Sequence, residues 1–288
     1  MTADSMFPND FPGVRIRELS STDDLDALTR VFDDVWHPDP TNRPVSVDML
    51  KALSHAGNYV VGAYVDGELA GGTVAFFGAP VGEVLHSHMT GVSRRGIGRR
   101  VGFALKLHQR DWARAQELAR ITWTFDPLVA RNAYFNIAKL GAVPVAYHRD
   151  FYGAIGDELG GADESDRMVM SWAIDGPDTV GRNGIATVDS LRAAGAVVAI
   201  DTTDPAHPVQ SLEEPRPDDT VLVEIPRDIE AMRRAHPREA SRWRQVTRDA
   251  LSPLLSDGPF RPVSFLRSGC YVFGPATERE LDPMNGAS

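Results

Sequence analysis

The chain has 288 residues, a single cysteine and a formal net charge of -10. That length allows one large domain or two modest ones, and the lone Cys270 excludes an intrachain disulfide and a cysteine-rich metal site. The acidic balance speaks against non-specific nucleic-acid binding. The absence of any run of about 18 apolar residues speaks against a membrane span.

In chain order, VRIREL (14–19) reads as a strand. The following segment, capped at Ser21 or Thr22, carries Leu25, Leu28, Val31, Phe32 and Val35 at helical spacing. HPDPTNRP breaks it, and SVDMLKALSHAG forms a second short helix closed by Gly57. NYVVGAYV and ELAGGTVAFFG flank Asp66-Gly67, a hairpin signal. GEVLHSHMTGV (82–92) is a further strand, followed by the basic loop SRRGIGRR (93–100). A helix then presents Val101, Leu105, Trp112, Ala115 and Ala119 on one face. RITWTF (120–125) is a strand, RNAYFNIAKLG a short helix ending at Gly141, and AVPVAYH and DRMVMSWAI two more strands. The fold class expected is mixed α/β, a central mixed sheet flanked by helices.

Beyond a soft boundary at Gly176-Pro177 the texture changes to Gly, Pro, Asp and Thr. VDSLRAAG and REASRWRQVTRDALSPLL read as helices, and AVVAI, TVLVEIP, VSFLR and CYVF as strands. Two domains are expected, 1–176 and a smaller α+β region 177–288. Strand, helix, strand, strand echoes the first part, which leaves a degenerate repeat open. Cys270, inside CYVF, reads as a buried small residue.

The loop concentrates four arginines and two glycines in an acidic chain. A helix N-terminus offers unpaired N–H groups to an anion, glycine allows close backbone approach, and arginine adds paired donors. A Rossmann site would follow the first strand of its unit, and a Walker site would need Gly-Lys-Ser/Thr; neither condition holds. A nucleotide-binding oxidoreductase is therefore disfavoured.

The arrangement resembles the GNAT superfamily of acyl-CoA N-acyltransferases. There, a Q/R-x-x-G-x-G/A loop joins the fourth strand to the third helix and holds the CoA pyrophosphate. A later N-x-x-A-x-x-x-Y-x-x-x-G-F segment follows the fifth strand. HSHMTGV, the basic loop and ITWTFDPLVARNAYFNIAKLGA carry the likeness, over about residues 14–175. Two frames of the loop fit. Gly96-Ile97-Gly98 has the glycines, but Ser93 stands where Q/R belongs. The frame ending at Gly102 puts Arg100 at the middle glycine and starts the apolar face at Val101, and it is preferred. The resemblance then implies a cradle of Gly98, Arg99, Arg100, Val101, Gly102 and Phe103, with Arg94 and Arg95 beside it. The resemblance also implies acyl-CoA contacts at Met89, Thr90 and Val92, with the backbone N–H groups around Met89 and Thr90 polarising the thioester carbonyl if the strand bulges, which Gly91 would suit. Asn132 meets the pantetheine arm or the phosphates. The family tyrosine falls on Ile137, and Tyr134, one turn earlier, is the substitute acid.

On the strand 82–92, Val84, His86, His88, Thr90 and Val92 share one face and Leu85, Ser87 and Met89 the other. His86 and His88 are the candidate bases; the alternative is two ordinary sheet histidines. Their spacing also suits a metal, but no third ligand is evident, and no metal is expected. Asp126 is a candidate to hold an acceptor ammonium or to cap the turn after it. The implied co-substrate is acetyl-CoA or another short acyl-CoA, and the implied partner a small-molecule amine. Nucleic acid and membrane are not expected as partners, a homodimer is left open, and a reducing cytoplasm fits. The competing reading is a non-catalytic acyl-CoA sensor on the same fold.

Overall fold

The computed structural model describes residues 11–38, 43–153, 164–176, 186–202, 204, 206–211, 214–256 and 258–276. Seven strands form one sheet: β1 (Val14–Glu18), β2 (Tyr59–Val65), β3 (Glu68–Phe77), β4 (Val84–Val92), β5 (Arg120–Phe125), β6 (Val143–His148) and β7 (Arg167–Ala173). Their order is β1-β2-β3-β4-β5-β7-β6. β1 to β4 pair antiparallel, β4 and β5 parallel, and β6 and β7 antiparallel. The mixed α/β expectation holds.

The helices in this part are α1 (Thr22–Trp36), α2 (Val47–His55), α3 (Val101–Ala115) and α4 (Ala130–Ala133), the last running into a π-helical turn at Tyr134–Lys139. Ser21 caps α1 by accepting the Asp24 amide, and Ser46 caps α2 by accepting that of Met49. Asp66 and Gly67 both have positive φ, as a two-residue hairpin of this twist demands. α3 is shorter than its sequence pattern. It ends at Ala115, Glu117 turns left-handed, and Ala115 and Ala119 are exposed rather than on the buried face.

The later elements are α5 (Val188–Ala193), β8 (Val197–Val198), β9 (Ile200–Asp201), β10 (Val209–Gln210), β11 (Val221–Glu224), α6 (Ile229–Ala235), α7 (Pro237–Leu255), β12 (Phe260–Leu266) and β13 (Cys270–Pro275). They include a second sheet of order β12-β13-β11-β8. α6 has no counterpart in the sequence reading, because its seven residues carry too little periodicity to stand out.

By contacts the chain falls into two units. Among the described residues, one draws on 11–123 and 172–176, the other on 124–153, 164–171 and 186–276. The division cuts within β5 and β7, not at the composition break near 176. In the first unit Leu19, Leu25, Leu28, Phe32, Leu50, Val60, Val74 and Met89 form one apolar cluster. Each such side chain contributes roughly 1.5–3 kcal/mol by burial. In the second, Leu222, Cys270 and Val272 pack with Val188, Leu191 and Leu266. Burial pushes the Cys270 thiol up to about 12, so it is an inert core residue, as its apolar surroundings in sequence imply.

Candidate functional site

β4 pairs with β5 through only three positions, Val84↔Arg120, Leu85↔Ile121 and His86↔Thr122, although β4 continues to Val92. On its other side, β4 pairs Met89 with Val74 and then Ser87 with Ala75, so His88 is the extra residue of a β-bulge. The bulge lies one residue before Met89. Gly91 has a different use: a Cβ there would come within 2.9 Å of Phe32 and 3.1 Å of Trp36. The bulge falls two residues past the last β4–β5 pair, which is how a sheet can expose backbone groups in mid-strand.

Leu85, Ser87, Met89 and Gly91 are buried, while His86, Thr90 and Val92 are half-buried and His88 is exposed. The two imidazoles share a face and both stack against Phe76, at 5.2 and 5.9 Å between centroids, but the bulge breaks the expected alternation beyond them: Met89 packs with Val74 and Phe32, while Ser87 bonds Lys106 and Thr90 bonds Thr73 on the opposite face. His86 Nδ1 is 3.1 Å from Thr122 Oγ1. Burial first, then the neighbouring His88 and Lys106, lower the proton affinity of His86; His88 is exposed as a residue, but its ring packs against Phe76 and desolvation there lowers its proton affinity too. Both are therefore neutral at physiological pH. His108, by contrast, is held by the Tyr59 hydroxyl at 2.8 Å and pushed down to about 4 by burial, a structural histidine.

The basic loop opens with a short 3-10 turn at Arg94–Gly96. Gly96 is buried, and a Cβ there would come within 2.6 Å of Val92 Cγ1 and 3.1 Å of Ala70 O. Gly98 has φ +79 and Arg100 φ +59, the latter a left-handed position where the family pattern has glycine. α3 begins at Val101, and no side chain caps it. Among the described residues the Val101 and Gly102 amides have no acceptor. A Cβ on Gly102 would meet only Val92, at 3.6 Å, so packing alone does not demand that glycine.

The loop's positive charge is less free than the sequence suggests. Arg95 pairs with Glu68 at 2.5 Å and Arg99 with Asp66 at 2.7 Å, while Arg100 lies over the rings of Phe11 and Phe103. Arg94 is exposed and has no partner among the described residues.

On the other side of β4 stands Lys106, buried in α3. Its Nζ donates to Ser87 Oγ (2.9 Å) and Gln109 Oε1 (3.2 Å) and lies 4.2 Å from the Trp123 ring centroid. Burial without a compensating carboxylate lowers it to about 7.

Within the second unit, Asp126 is buried against Arg244, which binds both its oxygens at 2.8 Å, and against Arg233 at 2.6 Å. It also accepts the Leu128 amide, the capping role foreseen as the alternative. Burial alone would raise its pKa, but the two guanidiniums outweigh it and hold the carboxyl well below the usual range. This corrects the expectation that Asp126 is poised for an acceptor ammonium, since two arginines already occupy it. Tyr134 accepts a hydrogen bond from Arg267 Nε at 2.9 Å, with that guanidinium 5.1 Å from its ring. Asn132 is half-buried, and its side-chain amide has no partner among the described residues. Ile137, at the family tyrosine position, is buried. An open cavity of about 390 Å³ in this unit, with Tyr147, Arg149 and Arg248 in its walls, holds no predicted site residue; Asp166 and Glu164 already neutralise Arg248.

No protein-family model matches the chain, and no curated protein matches it. Solved structures similar to it include a GNAT-family acetyltransferase from Streptococcus pneumoniae, 17% identical, covering 56% of this chain and 99% of its own, with a TM-score of 0.43. An N-acetyltransferase from Staphylococcus aureus is 11% identical over 56% of this chain and 99% of its own, with a TM-score of 0.46. A ribosomal-protein alanine N-acetyltransferase from Escherichia coli is 16% identical over 60% of this chain and 99% of its own, with a TM-score of 0.45.

Lys106 is the residue that sequence reading missed. A lysine in an amphipathic helix is ordinarily solvated. The signal is its spacing from Gln109 and the buried Ala113, three and seven residues on, which puts all three on one helix face.

Proposed function

We propose that this chain is an acyl-CoA N-acyltransferase of the GNAT superfamily, moving an acetyl or other short acyl group to a small-molecule amine. The observation that carries this reading is the run from the β4 bulge at His88, where the β5 ladder has ended, into the uncapped start of α3. The uncapped amides, the space at Gly102 and the unpaired Arg94 suit a pyrophosphate. In the reaction the amine attacks the thioester carbon, and the proton it sheds goes to a neutral imidazole, His86 or His88. Backbone N–H groups near Met89 and Thr90 receive the developing oxyanion. The C–S bond then breaks and the thiolate leaves to be protonated.

Gly102→Ala tests the cradle. The methyl fits the chain itself and improves helix propensity, so thermal stability should hold or rise. It stands where the anion would approach, so calorimetry should show acetyl-CoA binding weakened roughly tenfold, about 1.4 kcal/mol. Arg94→Ala should lose about as much through its charge-assisted bond. Full affinity in both variants would remove the loop from the reading. Thiol release from acetyl-CoA on adding amino acids, polyamines, amino sugars or a peptide with a free N-terminus then tests transfer. Tight binding without release by any amine marks a sensor instead.

A further inference from the structure

After the last paired residues of β4 and β5, His86 and Thr122, the next residue on each strand is Ser87 and Trp123. Lys106 touches both: its ammonium donates to the serine and lies over the indole. It therefore stands in the fork where the two strands cease to pair. The arrangement is costly. An ammonium is buried with no carboxylate partner among the described residues, and the Gln109 amide that turns its oxygen to that ammonium leaves Nε2 buried without an acceptor. Such unfavourable burial of ionisable groups concentrates at working sites.

We propose that Lys106 is a positioning residue for His86: its side-chain nitrogen holds the fork, anchors Ser87 and so fixes the strand from which His86 and His88 project. This inference rests on the reading of His86 as proton acceptor. The charged or titratable neighbours are few. β4 brings His86 and His88, while β5 brings Arg120 at the far end of the ladder, beside Glu83. On α3, Arg110 lies over Trp172, Asp111 pairs with Arg114, and His108 is engaged by Tyr59. When protonated, Lys106 is thus a cation close enough to His86 to disfavour its protonation, after burial and the neighbouring His88.

The test follows the His86 ring proton by NMR between pH 4 and 9, assigned with His86→Gln. In Lys106→Met, which removes the charge but keeps the length, the His86 midpoint should rise by about 0.3 pH unit or more, a twofold gain in proton affinity. Ser87→Ala keeps the charge, so its midpoint should stay closer to wild type. A midpoint unmoved in a folded Lys106→Met chain overturns the inference. Should that variant not fold, the wild-type signal decides. A second displacement of the His86 resonance, tracking the Lys106 Cε titration near pH 7, supports the inference, and its absence overturns it. The readout needs no turnover. A shifted midpoint in a chain that transfers no acyl group therefore sinks the acyltransferase reading alone.

Discussion

His86 and His88 differ in what confines them. His86 is fixed by Thr122 and half-buried, while His88 is the bulge residue with an exposed side chain. Replacing each by glutamine should separate them. The histidine that acts as base should cost about 10² in kcat, with acyl-CoA affinity kept and the acidic limb of the pH–rate profile flattened. Two variants with the wild-type rate and limb would leave both as sheet residues. Lys106 carries a second test at this scale. An unfolded lysine titrates at 10.5 and the folded one at about 7. Between those values the unfolded chain holds a proton the folded chain has shed, so this group makes stability climb as pH rises from about 7 to 10.5, with no slope below. Urea unfolding should show Lys106→Met more stable than wild type at pH 7, with the gap closing towards pH 10. A gap independent of pH would mean that the ammonium is solvated.

At the scale of elements, the loop before α3 contains two kinds of glycine. Gly96 is a packing residue, pressed between Val92, Ala70 and Val101, whereas Gly102 has open space. Gly96→Ala should therefore destabilise the chain by about 1–3 kcal/mol, the usual penalty for overpacking. A denaturant midpoint as high as that of wild type would show that the loop can yield. The start of α3 at Val101 was readable, because an apolar stripe sets in there. The distinction between the glycines was not, since it depends on Ala70 from β3. The bulge was foreseen only as a condition of the resemblance, because its position is set by the register of β4 against β3. The π-helical turn, Tyr134–Lys139, has the composition of an ordinary helix, and no spacing in it announces the wider turn.

For the whole molecule, local pattern and long-range pairing part company. Residues 120–175 read as a continuation of the first part, with the change of composition after them. Within the second unit, however, Asp126 meets Arg233 and Arg244, which lie 107 and 118 residues further on. Asp166 is fully buried against Arg248, 82 residues on, and the Tyr271 hydroxyl donates to Pro127 O across 144 residues. A charge in a polar stretch of sequence does not say which distant charge it will be buried with. A chain ending at 176 would keep both carboxylates and lose every one of these partners. The same truncation removes α6 and α7, which carry these arginines and cover the carboxylates, so the retained residues of the second unit lose both partners and cover. In the fragment 1–176 the amides of residues 124–153 should therefore exchange with solvent faster than in the full chain. Asp126→Asn in the full chain isolates one of the two pairs and should lower stability by about 3 kcal/mol in urea. Protection of those amides equal to that in the full chain would show that these arginines only cover residues that pack without them.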